Sequence, residues 1–401
     1  MMTIKTTQPY EQEELFSVKL CNEDVAVTSK PGLPDWDRLL PSTQLLAEYP
    51  KLQPLDRVLL FGCHNGALSV SIARHLPLGR LTIIDNNIIA LDMTRKTLAA
   101  NNISSVNLLN NIDLPQDRIQ SYDAVFIQIP KGRILTRRWL LQAFQGLIPG
   151  KYLYISGSNK AGIQSSIKDG MELFGNGRIL AYKKGNRISQ YVKQQEASSS
   201  PDWALAPGIK PGTWFEFSIT LSDHKYKIRS LPGVFSYDHL DAGTQMILST
   251  FSVKPGSKVL DVGCGYGLIG LVASTQGAGW VDFIDNDLLA ISSCKETLAL
   301  NGIMNTNVLA GDLLGPVRSN KYDLILSNPP FHAGHAVDYQ IAEAMIRQSY
   351  QALHSDGQIT IVANRFIPYD RLINDIFGNV SCLIESGKFH VLSGKKTGRD
   401  Y

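Results

Sequence analysis

Three things are scarce in this chain of 401 residues, and each scarcity excludes a class of protein. Cysteine is the first: Cys21, Cys63, Cys264, Cys294 and Cys382 are odd in number, widely scattered, and form no C-x-x-C pair. That argues against a disulfide framework, a zinc ribbon or a dithiol redox centre, so no metal is expected and the thiols read as buried or bystander groups. Long apolar runs are the second. No stretch reaches the ~18 consecutive apolar residues of a membrane span. Charge of one sign is the third: a formal net charge of +3 makes the whole chain no obvious polyanion binder, and any nucleic-acid surface has to be a local patch. Met1 to Leu20 is polar and carries Glu11, Glu13, Glu14 and Lys19 where a secretory leader needs an apolar stretch. A cytoplasmic monomer without membrane contact is therefore the expectation.

What is present is an internal repeat. Lys96–Ile103 (KTLAANNI) lines up with Glu296–Ile303 (ETLALNGI), an offset of 296 − 96 = 200. At the same offset the run from Leu81 to Asn86 answers that from Val281 to Asn286, and Tyr122-Asp123 answers Tyr322-Asp323. Val58-Leu-Leu-Phe-Gly-Cys answers Val259-Leu-Asp-Val-Gly-Cys with one residue of slip. A chain of this length exceeds the ~250–300 residues at which single cores stop growing, and two similar halves account for it. In each half an apolar run ends in a Gly turn, a helical segment follows, and a second apolar run ends in Asp85 or Asp285. Such alternation predicts an α/β fold, a parallel sheet with helices on both faces. Between the halves, Gln194 to Pro211 holds Ala-Ser-Ser-Ser-Pro-Asp and two further prolines, which suits neither helix nor central strand. The expected division is a first domain over 1–195, a linker over 196–212 and a second domain over 213–401. The latter begins with strands at Thr213–Leu221 and Lys225–Ser230.

Chemistry concentrates in the second half. The strand Ser257–Val262 runs into Gly263-Cys264-Gly265-Tyr266-Gly267 and then a helix, a turn in which glycine lets a ligand approach the backbone. A dinucleotide fingerprint would place its third glycine at position 268, which is leucine. Here it is Gly267, and Asp261 precedes the turn. That spacing favours S-adenosylmethionine over a nicotinamide cofactor. Asp261 then suits the cofactor ammonium, and Asp285, 20 residues after Gly265, suits both ribose hydroxyls. Asp312 stands where a third polar group would meet the adenine amine, although a strand-end aspartate is also a common helix N-cap.

The sharper motif is Asn328-Pro329-Pro330-Phe331-His332 after the apolar run Tyr322–Ser327. Proline ends a central strand, leaving a rigid turn with one carboxamide, one unshared carbonyl and one aromatic face. These suit a planar, amine-bearing substrate: the Asn328 oxygen and Pro329 carbonyl accept its two N–H bonds, and Phe331 stacks on its plane. His332 reads as a structural or substrate-edge residue rather than a general base.

Leu231-Pro-Gly-Val-Phe-Ser236, Leu240-Asp241, Gly243, Asp-Val-Gly-Cys-Gly, Asn-Pro-Pro-Phe-His and Val362-Ala-Asn-Arg-Phe-Ile-Pro-Tyr369 together resemble, in order, the motifs of the bacterial ribosomal RNA guanine-N2 methyltransferases of the RsmC and RlmG type. The resemblance covers most of the chain. It implies two tandem Rossmann-like class I methyltransferase domains, the N-terminal one degenerate, with S-adenosylmethionine as cofactor and ribosomal RNA or a ribosomal subunit as partner. Cofactor contacts at Asp261, Gly263, Gly265, Gly267, Asp285 and Asp312 would then join catalytic residues Asn328, Pro329, Pro330 and Phe331, with Phe235, Ser236 and His332 near the substrate. At the matching places the first half has Leu60, His64 and Gln128-Ile129-Pro130-Lys131, so it has lost both the ammonium acceptor and the nitrogen clamp. Lys131, Arg133, Arg137 and Arg138 follow the degenerate motif and are a candidate RNA grip, against the plainer reading of a solvated face. N-methylation of a protein glutamine or an adenine, and a non-catalytic RNA-binding assembly factor, are the alternatives. Val362-Ala-Asn-Arg and Phe377-Gly-Asn lean towards the large-subunit branch.

Overall fold

Central strands of a parallel sheet are covered on both faces and therefore read as unbroken aliphatic runs. Leu59, Leu60 and Phe61, like Val259 and Leu260, are fully buried. The computed structural model describes residues 10–195, 200–221, 223–329 and 339–398, and two compact units emerge. One comprises Glu13–Trp214; the other comprises Phe215 onward together with the segment ending at Gln12.

The first unit holds a seven-stranded sheet in the order Val106–Leu109, Arg80–Ile84, Arg57–Phe61, Tyr122–Gln128, Leu147–Ser158, Asn186–Val192, Arg178–Lys183. The second repeats that order with Thr306–Ala310, Trp280–Asp285, Lys258–Val262, Tyr322–Ser327, Leu353–Asn364, Phe389–Lys395, Ser381–Glu385. Each unit adds a separate hairpin, Glu14–Leu20 with Glu23–Ser29 in one and Phe215–Leu221 with His224–Ser230 in the other. The expected α/β duplication is present. The sheets are mixed rather than wholly parallel: five strands pair in parallel, and the sixth, Phe389–Lys395 or Asn186–Val192, runs against them and pairs antiparallel with both its neighbours. The reason lies in the connection, since the short turn from Glu385 to Phe389 can join only antiparallel strands, whereas a parallel pair needs a long crossover.

The stretch read as a linker is partly structured. Asp202–Leu205 forms a short 3-10 helix, Trp203 and Ile209 are buried, and the Trp203 indole donates to Glu172 at 3.0 Å.

In the second unit strand order reverses beside Lys258–Val262. Its successors Trp280–Asp285 and Thr306–Ala310 lie on one side, and Tyr322–Ser327 and Leu353–Asn364 on the other. A crevice forms at the carboxyl ends of strands at such a switch point. Val262 pairs in register with Ser327, so the turn starting at Gly263 and the turn starting at Asn328 emerge side by side.

Candidate functional site

The glycine turn is held open at its crevice side. Gly263 and Gly265 have φ of +70° and +56°, the left-handed region that side chains resist. Among the described residues, a Cβ on Gly263 would meet nothing within 4 Å, and one on Gly265 would meet only Val234 at 3.9 Å. The turn is therefore a cradle whose empty side a ligand backbone contact would fill. Gly267 differs: it is buried, caps the helix Leu268–Thr275, and a Cβ there would strike Cys294 Sγ at 2.6 Å. Its absence of a side chain serves helix packing, so the structure gives glycine at this position a reason of its own.

Asp285 is half-buried at its strand end. Oδ2 accepts from Gly265 N at 3.0 Å and Oδ1 from Asp287 N at 3.0 Å. A carboxylate has about four acceptor sites, so capacity for two ribose hydroxyls remains. Burial raises its pKa, partly countered by those backbone N–H groups.

Asp261 is more deeply placed than its spacing implied. It is 0% exposed; Oδ2 accepts from Gly270 N at 2.9 Å, and Oδ1 has no hydrogen-bond partner among the described residues. Burial, with the Asp285 charge adding to it, pushes its pKa up to about 7. A direct bond to an ammonium in the crevice is thus not available in this conformation. What Asp261 offers the cradle is an uncompensated buried acceptor directly beneath it, and a cationic ligand fits that environment.

The Asn328 carboxamide is fixed from behind. Its Nδ2 donates to Asp241 Oδ2 at 3.1 Å and to Thr244 Oγ1 at 2.8 Å. Because a carboxylate only accepts, the atom facing Asp241 must be the nitrogen, and the carboxamide oxygen is turned the other way. Asp241 also caps the helix Ala242–Leu248, accepting from Thr244 N at 3.0 Å. Gly243 makes the approach possible: a Cβ there would lie 2.9 Å from Asp241 Oδ2. Asp241 and Thr244 had no assigned role from sequence. The Asp-Ala-Gly-Thr pattern signals a helix cap, but nothing local points to a partner 87 residues away. Pro329 is buried beside Asn328. Pro330, Phe331 and His332 lie outside the described residues.

The first unit shows the same turn closed. Gly62, at the place of Gly263, would have a Cβ 2.7 Å from the Gln128 carbonyl and 3.2 Å from the Trp139 ring, and that ring stacks on Phe61. His64 keeps the left-handed φ of Gly265, at +52°, but adds an imidazole that bonds the Pro34 carbonyl at 2.5 Å. Asp85 holds both the backbone N and the thiol of Cys63. Aromatic and imidazole groups thus fill space that no described residue occupies in the second unit.

Of the other anticipated residues, Phe235 is 64% exposed and Ser236 is left-handed at φ +49°, on the loop that precedes Asp241. Asp312 is half-buried after Thr306–Ala310 and receives a hydrogen bond from Tyr10. The basic cluster divides. Arg138, 1% exposed, pairs with Asp113 and with the Gly208 carbonyl. Arg137 pairs with buried Asp169 at 2.9 Å and lies over the Trp203 ring. Arg138 is therefore interior scaffolding, which corrects its assignment to an RNA surface, while Arg137 is half-buried with its charge committed to Asp169. Arg133 also bonds Asp169 but leaves 47% of its side chain exposed, and Lys131 is exposed. Among the described residues no group of three His, Cys, Asp or Glu is placed to hold a metal ion, and no helix is long and apolar enough to cross a membrane.

Comparison with known proteins agrees with the duplication. The methyltransferase small domain matches twice, over residues 24–190 and 225–393. A ribosomal RNA small subunit methyltransferase C from Pseudomonas entomophila is 33% identical over 272 residues, 68% of this chain and 78% of the relative. That from Aliivibrio fischeri is 33% identical over 276 residues, with the same two coverages. Among solved structures, the T. thermophilus 16S rRNA N2 G1207 methyltransferase (RsmC) in complex with AdoMet and guanosine superposes with a TM-score of 0.76 at 23% identity, covering 96% of this chain and 98% of that one. This likeness shows the fold. The relatives are small-subunit enzymes, which overrules the lean of Val362–Arg365 and Phe377–Asn379 towards the large-subunit branch. With a methyltransferase small domain in each half and a third of aligned positions shared over two thirds of its length, the chain belongs to the ribosomal RNA small subunit methyltransferase C family.

Proposed function

We propose that this protein transfers a methyl group from S-adenosylmethionine to the exocyclic N2 of a guanine in small-subunit ribosomal RNA, at one site per chain, in the second unit. The observation that carries this reading is the orientation of Asn328: with Nδ2 held by Asp241 and Thr244, its oxygen is the atom presented to a substrate. A carboxamide oxygen beside the Pro329 carbonyl accepts the two N–H bonds of an exocyclic amine and aims its lone pair. Gly263 and Gly265 cradle the cofactor backbone, Asp285 takes the ribose hydroxyls and Asp312 the adenine amine. The cofactor supplies an electrophilic methyl on a sulfonium, a good leaving group. The extra N2 proton is lost to solvent after transfer, so the protein has little acid–base work to do, and positioning, which recovers roughly 7–11 kcal/mol for well-oriented reactants, is its main contribution. Phe331 stacks on the guanine, which is flipped out where it is paired. In the first unit Trp139 and His64 occupy the equivalent cradle, so that unit acts in binding RNA or in support, with Lys131 and Arg133 as its exposed basic pair.

The test is to incubate the protein and labelled cofactor with small subunits, large subunits and naked RNAs and to map the product nucleoside. Label is expected as N2-methylguanosine in small-subunit RNA, and Asn328→Ala is expected to abolish turnover while shifting the cofactor Kd less than about twofold, since it leaves the cradle intact. Label in any other nucleoside, or in protein, overturns the assignment.

A further inference from the structure

We propose that Tyr10 is a positioning residue for the adenine end of the cofactor site, acting through Asp312. The inference rests on the reading of Asp312 as the acceptor for the adenine amine. Tyr10 precedes the first unit in sequence yet clusters with the second. It is 4% exposed, and its hydroxyl donates to Asp312 Oδ1 at 2.5 Å, across 302 residues of chain. The neighbouring residue makes a second tie. Glu11 accepts from Gln348 Nε2 at 2.8 Å, and Gln348 Oε1 in turn accepts from Leu314 N at 3.1 Å. The loop after Thr306–Ala310 is thus gripped at Asp312 and at Leu314, and both grips lead to the same N-terminal segment.

That loop needs holding. Leu313, between the two grips, has φ of +48°, a left-handed conformation unusual for a bulky side chain, and such strain persists only where the surroundings enforce it. The duplicated unit provides the contrast. There Gln142 occupies the place of Gln348 and likewise accepts from Leu114 N, at 2.9 Å. Its Nε2, however, turns back to Asp113 Oδ1 and the Ile112 carbonyl within its own loop, and Ile112 stands where the second unit has Asp312. The unit without an adenine acceptor closes its loop by itself. The unit with one recruits Tyr10 and Glu11.

The hydroxyl fixes the rotamer and plane of the carboxylate, so that it is oriented before an amine arrives. An acceptor already oriented before the ligand arrives loses no freedom on binding it. Removing the hydroxyl while keeping the buried ring, as in Tyr10→Phe, is expected to weaken S-adenosylhomocysteine binding about tenfold, the scale of one hydrogen bond to a charged group. The 6-deamino purine analogue, which has no amine to offer, is expected to lose less than about twofold. In an Asp312→Ala background the same Tyr10 change is expected to have no further effect. In turnover the loss should fall on cofactor KM rather than on kcat, and in the ligand-free protein amide exchange at residues 312–314 should quicken.

Calorimetry on the four proteins with the two ligands separates the outcomes. Equal losses for both ligands, losses that persist without Asp312, or no loss at all overturn the role of Tyr10 while leaving Asp312 in place. If Asp312→Ala itself fails to distinguish the ligands, the adenine reading of Asp312 falls and the role of Tyr10 falls with it.

Discussion

The carboxamide nitrogen of Asn328 donates to Asp241 Oδ2 at 3.1 Å, and that bond turns the carboxamide oxygen away from Asp241, the end that the proposed function gives to the substrate. A freely rotating Asn328 would present N–H and oxygen alike, and an amine N–H facing another N–H is a repulsive encounter. Asp241 is itself immobilised as a helix cap, so the constraint passes from helix to carboxylate to carboxamide. Asp241→Asn retains capping, because Asn and Asp cap comparably, but its amide no longer dictates the orientation of Asn328. It is expected to lower kcat about tenfold with Tm within ~2 °C of the parent, and Thr244→Val to lower it by a further few-fold, each the scale of one hydrogen bond. If both variants keep full kcat while Asn328→Ala is dead, the orientation argument is wrong.

Much of this site was legible from spacing alone. The repeat at Lys96–Ile103 and Glu296–Ile303, the strand ends at Asp85 and Asp285, and the halt at Asn328-Pro329 all follow from local chemistry, because backbone conformation at glycine and proline is a local property. Burial is not local in the same way. Arg138 adjoins two other basic positions and looks like surface, yet Asp113 and the Gly208 carbonyl meet it inside. Asp261 sits at a strand end, yet it is fully buried and bonded to the backbone of the following helix at Gly270. Tyr10 carries no motif, and its partner is fixed only by the tertiary fold.

The divided basic cluster makes a separable prediction. Arg138→Met removes a buried guanidinium and leaves Asp113, 29% exposed and still held by Gln142, without its ion-pair partner, a change expected to cost less than the ~3–5 kcal/mol of breaking a fully buried pair. A drop in Tm is expected, with the salt dependence of RNA binding unaltered. Lys131→Glu acts on an exposed group and is expected to hold Tm, whereas Arg133→Gln also takes two hydrogen bonds from buried Asp169, which keeps Arg137, and is expected to lower Tm; in both, RNA affinity is expected to fall and the salt slope to shrink by roughly 0.7–0.9 for each phosphate no longer neutralised. Titrations of RNA at several salt concentrations decide it. An unchanged slope in the Lys131→Glu, Arg133→Gln double variant would remove this face from the RNA path.

Asp261 is expected to tie cofactor binding to pH. Its folded pKa, pushed by burial to about 7, lies above the ~3.9 of an unfolded chain. Between those values the native state holds the extra proton, so by linkage stability falls as pH rises through that window. A bound sulfonium and ammonium favour the ionised carboxylate, and binding should therefore expel a proton below about pH 7 and tighten as pH rises from ~5.5 to ~7.5. Asp285 is raised in the same direction and contributes to the same slope, which Asp285→Asn measures by itself. Calorimetry at about pH 6.5 in two buffers of different ionisation enthalpy counts the protons released. Asp261→Asn is expected to abolish most of that release and to raise the Tm of the ligand-free protein at about pH 8, where the parent carries a buried, uncompensated charge. Undiminished proton release in Asp261→Asn would show that the buried carboxylate does not sense the cofactor, and its place beneath the glycine turn would then be structural alone.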